Sequence, residues 1–361
     1  PIIKHNIVTI FNGEIYNFVQ LRNELIELGA EFYSKSDSEV VANAFLFWGI
    51  DCLKKFDGMF AICFYDLNKK EIFLARDRMG IKPLHYTFIN NTLFFSSEIL
   101  TLTKIPGFKK KINLNAVSSY LSFRYPIDDE NLFFENIHRL ENGSYIKFNL
   151  DKSLDLIKQK FWDIPQNNNH FDNLSFKDNE EKLDNLLQSS VKNQLISDVP
   201  LGILLSGGLD SSLIASIASR HKEQLNTYSV SFVEKDYDES EKAKLVSNHI
   251  GSKHYDLKID KNFFIENLQT LIDIKGSPAS IPHEFALYCL CKEIKKEVSV
   301  LLSGEGADEF FGGYSRVQKS PFDFNKKNFL SRDFDKKKFF DFFLDRYKWF
   351  DVREKENLFS E

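Results

Sequence analysis

The stretch LLSGGLDSSLIASIAS, residues 204–219, decides the fold of the second half of this chain. An apolar run, VPLGILL (199–205), leads into it, and a helical pattern, SSLIASIASRH, follows at once. Between the two lie Ser206, Gly207, Gly208, Leu209, Asp210, Ser211 and Ser212. Glycines at such a turn permit positive φ and let backbone N–H groups approach an anion closely. The first amides of the following helix point at the same anion. The turn therefore predicts phosphate binding, yet the chain has neither G-x-x-x-x-G-K-S/T nor G-x-G-x-x-G. Asp210 stands where a cation would be expected. A carboxylate beside phosphates is repulsive unless a divalent ion lies between them, and Mg²⁺ commonly binds through one or two carboxylates plus phosphate oxygens and water.

Working outward, a helix at about 179–196 precedes the turn, and the strand TYSVSF (227–232) follows its helix. Next come a helix over 239–250, with Asp238 as N-cap, Glu241 three residues on and Gly251 past its end, then a helix over 283–296 and the strand VSVLL (298–302). This alternation predicts an α/β doubly wound parallel sheet. LLSG recurs at 301–304, again where an apolar strand ends. Ligands of open parallel sheets bind at the carboxyl ends of strands, so both turns should face one crevice. The second turn, SGEGADEFFGG (303–313), adds Asp308, Glu305 and Glu309. Two carboxylates holding magnesium on pyrophosphate favour chemistry in which pyrophosphate leaves after attack at the α-phosphorus.

The first 150 residues have a different rhythm. NIVTIFN (6–12) reads as a strand, followed by helices over 17–28 and from Ser38 to just before Gly49, then hairpins such as MFAICFYD–LNKK–EIFLARD. Two helices with antiparallel strands predict a layered α+β domain. Residues 151–178 are polar and Asn-rich and read as a linker, which sets domains at 1–150 and 179–361.

Composition narrows the classes. The chain of 361 residues is 43% hydrophobic and 27% charged with a net charge of -5, which gives no broad attraction to nucleic acid or anionic membrane. No apolar run approaches the roughly 18 residues needed to span a bilayer, and no secretory pattern opens the chain. Cys52, Cys63, Cys289 and Cys291 offer no metal-binding spacing, so buried, reduced thiols in a cytoplasmic protein are expected.

S-G-G-x-D-S-S after a strand resembles the pyrophosphate loop of the ATP-pyrophosphatase superfamily. SGEGADE followed by FFGGY resembles the synthetase domain of glutamine-dependent asparagine synthetases. The resemblance implies that Ser206, Gly207, Gly208, Asp210, Ser211 and Ser212 bind the pyrophosphate of ATP, with Asp210 and Asp308 as magnesium ligands. It places Leu204, Val230, Ser303 and Gly304 against adenosine, and makes Glu305 the glutamate involved in forming β-aspartyl-AMP and receiving ammonia. In the first half, FNGEIYN (11–17) resembles the glutamine-site motif of class II glutamine amidotransferases, with an N-terminal-nucleophile fold of αββα layers. There Asn12 and Gly13 match the oxyanion hole, Glu14 a glutamine contact, and Asp37 the carboxylate that meets the substrate α-amino group. Asp37 could instead serve as N-cap of the helix at Ser38. Arg76, Asp77 and Lys82, in RDRMGIKPLHY, read as a structural charged turn.

The implied reaction converts aspartate, ATP and glutamine to asparagine, AMP, pyrophosphate and glutamate, with ATP and Mg²⁺ as cofactors, small molecules as the partners, and a homodimer as the expected assembly. The family's nucleophile is an N-terminal cysteine, whereas this sequence begins at Pro1 and stops in a charged helical stretch at Glu361. A piece cut at both ends, without glutaminase activity of its own, is therefore expected. Two other readings stay open: an amidotransferase of this architecture acting on another carboxylate, and a catalytically dead binding or regulatory relative. The retention of Asp210, Asp308 and Glu305 speaks against the second.

Overall fold

A computed structural model describes residues 1–126, 132–151, 156–165, 175–233, 238–280, 282–327 and 336–359. The chain divides into two compact units, Pro1–Val117 with Pro126–Asn173, and Ser118–Tyr125 with Leu174–Glu361.

In the first unit the order is β1 (Ile2–Lys4), β2 (Ile7–Ile15), α1 (Phe18–Glu27), α2 (Asp37–Trp48), α3 (Cys52–Lys55), β3 (Gly58–Asp66), β4 (Glu71–Arg76), β5 (His85–Ile89) and β6 (Thr92–Ser96). Then follow α4 (Ile99–Thr103), α5 (Leu114–Phe123), whose residues from Ser118 on belong to the second unit, β7 (His138–Arg139), β8 (Ser144–Asn149) and β9 (Ile157–Lys160). One antiparallel sheet runs β1-β2-β3-β4-β8-β9 and a second runs β6-β5-β7. Side chains alternate along each strand, so the large sheet has two faces to cover. On one face, Leu21 and Leu25 of α1 and Val40, Val41 and Phe45 of α2 bury against Ile7, Ile15, Phe60, Ile62 and Phe64. On the other, Ala61, Cys63 and Leu74 meet Tyr86 of the second sheet and Leu84 just before it. Leu102 of α4 then packs with Phe94 of β6. The layers are helix, sheet, sheet, helix, as the resemblance implied.

The charged turn after β4 is structural, as read. Asp77, 1% exposed, accepts backbone N–H groups of Phe60, Met79, Ile81 and Lys82 at 2.9–3.1 Å. The Arg76 guanidinium donates to the carbonyls of Gly80, Lys82 and Leu140.

The second unit contains α6 (Phe176–Gln194), β10 (Leu201–Leu204), α7 (Leu209–Ser219), β11 (Asn226–Phe232), α8 (Ser240–Ile250), β12 (Lys253–Ile259), α9 (Lys261–Lys275), α10 (Pro282–Ile294) and β13 (Val300–Leu302). It continues with α11 (Ala307–Phe311), α12 (Ser315–Lys327), α13 (Lys336–Tyr347) and α14 (Val352–Phe359). All pairings in the sheet β12-β11-β10-β13 are parallel. Val191 of α6, Ala215 and Ala218 of α7 and Ala243 of α8 cover one face with Ile203 and Leu205. Phe285 and Cys289 of α10 and Leu271 of α9 cover the other, with Ile259. The unit is a doubly wound α/β sandwich.

Several expectations need correction. Asn12-Gly13 lies inside β2, not at a turn, because that strand runs on to Ile15. A Cβ at Gly13 would stand 2.1 Å from the Met59 carbonyl oxygen, so the glycine serves a close strand approach. The helix cap is Ser36, whose hydroxyl accepts the Ser38 N–H at 3.1 Å, and Asp37 is the first helical residue. Cys291 is exposed, whereas Cys52, Cys63 and Cys289 are buried. β12 and α9 were not foreseen. Parts of the 151–178 segment lie outside the described residues, and α6 already begins at Phe176.

Candidate functional site

β10 has β11 on one side and β13 on the other. The chain builds outward from β10 to β12 and then returns to the opposite edge, so β10 and β13 flank a switch point, the place where ligands of open α/β sheets bind. Both glycine-rich turns emerge there. Gly207 has φ +79°, a left-handed conformation that a side chain would strain, and its missing Cβ would lie 2.5 Å from the Lys242 Cβ. Gly304 is the contact between the turns: a Cβ there would lie 2.9 Å from the Ser211 nitrogen and 3.0 Å from the Asp210 Cβ. The second turn thus rests on the first turn of α7, with no room for a side chain between them.

The serines of the first turn bond to one another. Ser206 Oγ and Ser211 Oγ are 2.9 Å apart, the Ser206 N–H donates to Ser211 Oγ at 3.2 Å, and the Gly208 N–H donates to Ser206 Oγ at 3.2 Å. The Ser212 hydroxyl is buried without a hydrogen-bond partner among the described residues. Leu204 and Val230 are half-buried and pack beside Tyr228 and Leu290, so both contribute to the core.

Asp210 and Asp308 are half-buried, and among the described residues neither carboxylate has a hydrogen-bond or ion-pair partner. No set of three or more His, Cys, Asp or Glu side chains gathers among the described residues to hold a metal unaided. Two unpartnered carboxylates on adjoining turns suit a hard cation whose remaining ligands are phosphate oxygens and water. In this respect the residues fit magnesium.

The second turn brings two residues that the sequence did not single out. His283, in the first turn of α10, places Nε2 2.9 Å from Glu305 Oε1. The Tyr314 hydroxyl donates to Glu309 Oε1 at 2.8 Å. That bond, then burial, then the charges of Glu309, Asp308 and Glu305 push the Tyr314 hydroxyl up to about 12. No spacing rule links residue 283 to residue 305, because the loop that aligns them is tertiary. Ser303 receives the Glu305 N–H at 3.4 Å.

In the first unit, the Asn12 side-chain amide is exposed and donates to Ser97 Oγ at 3.0 Å. Gly13 and Glu14 follow on the same strand, opposite Phe60 and Met59. Burial, followed by the charge of Glu14, pushes the Tyr16 hydroxyl up to about 12. Asp37 Oδ2 accepts the Ile15 N–H at 3.1 Å, which ties the start of α2 to the end of β2. The structure therefore brings Asn12, Gly13, Glu14 and Asp37 to one strand end.

Comparison with known families agrees with this division. The glutamine amidotransferase domain profile matches residues 1–162, and the asparagine synthase profile matches residues 182–359. The chain joins a glutamine amidotransferase domain to an asparagine synthase domain. It is 33% identical over 327 residues to a putative asparagine synthetase (glutamine-hydrolyzing) 2 of Methanocaldococcus jannaschii, covering 89% of this chain and 62% of that protein. It is 32% identical over 320 residues to asparagine synthetase (glutamine-hydrolyzing) 3 of Bacillus subtilis, covering 84% and 51%. The chain thus spans between half and two thirds of these relatives' length. Among solved structures, the glutamine phosphoribosylpyrophosphate amidotransferase of B. subtilis matches at 12% identity and a TM-score of 0.33, over 83% of this chain and 72% of that one.

Proposed function

We propose that the protein to which this chain belongs amidates aspartate to asparagine at the expense of ATP, with glutamine as nitrogen donor. The observation that carries the reading is the seating of Gly304 on Asp210 and Ser211, which makes one site of two turns that are far apart in sequence. On this reading the pyrophosphate lies over Ser206, Gly207, Gly208, Ser211 and Ser212 at the N-terminus of α7, where amides and hydroxyls meet negative charge. The adenosine lies against Leu204, Val230, Ser303 and Gly304. Asp210 and Asp308 would hold magnesium, whose charge would offset that of the phosphates which these carboxylates otherwise oppose.

The β-carboxylate of aspartate attacks the α-phosphorus of ATP, pyrophosphate departs, and β-aspartyl-AMP forms. Ammonia then displaces AMP, with Glu305 beside the reacting carbon. In the first unit, Asn12 and Gly13 stabilise the oxyanion formed from glutamine, while Glu14 and Asp37 contact its polar groups. Asp37 does so with a carboxylate already fixed by the Ile15 N–H.

The test is isotopic. Aspartate labelled with heavy oxygen in its β-carboxylate should pass one label to AMP in the full-length protein. ATP consumption without transfer from aspartate, but with transfer from another acid, would reassign the acceptor. Asp210→Asn and Asp308→Asn should each lower magnesium-dependent AMP formation by roughly a hundredfold or more. Full activity in either variant would remove that residue from the metal site.

A further inference from the structure

The Glu305 carboxylate has one hydrogen-bond partner among the described residues, the His283 ring, at 2.9 Å. The backbones that carry the two side chains differ in how firmly they are held. His283 sits in the first turn of α10, whose entry is tied down by several bonds. Lys275 Nζ donates to both oxygens of Glu284, at 2.9 and 2.7 Å, and to the Pro278 carbonyl at 3.3 Å. The Ser280 N–H donates to Glu284 Oε2 at 3.0 Å, and the Tyr120 hydroxyl donates to the Ala279 carbonyl at 2.7 Å. Phe285 and Cys289 then bury the helix against Ile259 and Leu271. Glu305 projects from a turn; the two side chains are alike in exposure, 60% for His283 and 64% for Glu305, so the difference lies in the backbones that carry them. A glutamate in that situation samples several rotamers unless something selects one.

We infer that His283 is a positioning residue for Glu305, and this rests on the asparagine-forming reading above. With its proton on Nε2, the ring donates to Oε1 and leaves Oε2 directed at the acceptor carbon. The charges around the ring agree with a donor there. Glu284 and Lys275, from α10 and α9, neutralise each other, while Glu305, Asp308 and Glu309 make the facing loop negative. In the amidation step the ammonia lone pair forms the C–N bond, and one N–H proton passes to Glu305 Oε2. The bond from carbon to the AMP oxygen breaks with its electron pair, and Glu305 returns the proton to solvent.

The test uses the full-length protein with ammonia as nitrogen source, so that glutamine hydrolysis does not enter. His283→Ala should lower kcat about tenfold, the worth of one hydrogen bond to a charged group, while the half-saturating ATP concentration stays within about twofold. His283→Gln, whose amide can donate from a similar place, should recover most of the loss. An unchanged kcat in His283→Ala, or an equal loss in both variants, overturns the inference. A readout without turnover stands beside these rates: nitrogen-15 histidine spectra should show the Nε2-protonated ring, and Glu305→Gln should shift it toward a mixture of tautomers. Identical spectra would also overturn it. Amidation of an acid other than aspartate, with the same dependence on His283, would sink the aspartate reading and leave the role of His283 standing.

Discussion

Gly304 and Gly13 carry different loads, although each is a glycine because another chain segment passes too close for a Cβ. At Gly304 the neighbours are the Ser211 nitrogen and the backbone and Cβ of Asp210, none of which can swing away. Gly304→Ala should therefore part the two turns by several tenths of an ångström, raising the half-saturating ATP concentration about tenfold with little change in melting temperature. An unaltered ATP dependence would show that the turns need not touch. At Gly13 the obstacle is the Met59 carbonyl oxygen, 2.1 Å from the added carbon, within the β2–β3 ladder. Gly13→Ala should cost about 1–3 kcal/mol of stability, measured by urea unfolding, because overpacking strains both strands. Asn-Gly is a strong turn signal in isolation, and nothing in the local sequence reveals the partner strand that makes it a strand dipeptide instead. His283 was invisible for the same reason: its importance lies in what α10 faces.

At the scale of elements, the apolar strands VPLGILL and VSVLL and the echoed LLSG were legible because a buried parallel strand is hydrophobic throughout. β12, KHYDLKI, was left unassigned because its polar residues break any continuous apolar run. Its alternation of Tyr255, Leu257 and Ile259 with His254, Asp256 and Lys258 was the available signal for a half-covered edge strand. Other polar residues inside elements set the acid stability of the first unit. Burial of Glu39, on α2, opposes ionisation. The Lys4 ammonium, the Ser34 hydroxyl and the N–H groups of Tyr33 and Ser34 outweigh it and hold the carboxyl at about 2, against an ordinary 4.5. Its stabilisation is present above pH 4.5 and lost as pH falls toward 2. His85, on β5, is pushed from 6.5 to about 4 by burial, then by Arg139 and Arg76. Here the folded state favours the neutral ring, so its contribution is full above pH 6.5 and declines toward pH 4. Each shift corresponds to about 3 kcal/mol at most. Unfolding free energy measured against pH should thus fall in two overlapping steps. His85→Gln should flatten the step between pH 6.5 and 4, and Glu39→Gln the step between 4.5 and 2. A curve unchanged by both substitutions would refute the assignment.

At the scale of the whole molecule, each unit keeps its own core, and the cysteines report on them separately. Cys52 and Cys63 lie in the core of the first unit and Cys289 in that of the second, while Cys291 is exposed. Burial drives the Cys63 thiol up to about 12 and that of Cys289 up to about 11, so neither reacts without unfolding. A thiol reagent should label Cys291 at once in the native protein. In rising denaturant, labelling of Cys52 and Cys63 should follow the first unit and that of Cys289 the second, giving two midpoints. One shared midpoint would show that the units unfold together. The strand–helix alternation made the second unit's class readable, whereas the layering of the first needed long-range pairing such as β4 with β8, which no local pattern encodes.

The mutual bonds of Ser206 and Ser211 carry a consequence for turnover. An anion arriving at this turn would meet the Ser206 and Ser211 hydroxyls already engaged and exchange hydrogen bonds there, whereas the buried Ser212 hydroxyl has no partner among the described residues to give up. The net gain per bond is small, and the grip on the anion comes mainly from charge. On the ATP-dependent reading proposed above, the Ser206–Ser211 bond would compete with bound product and shorten its residence time.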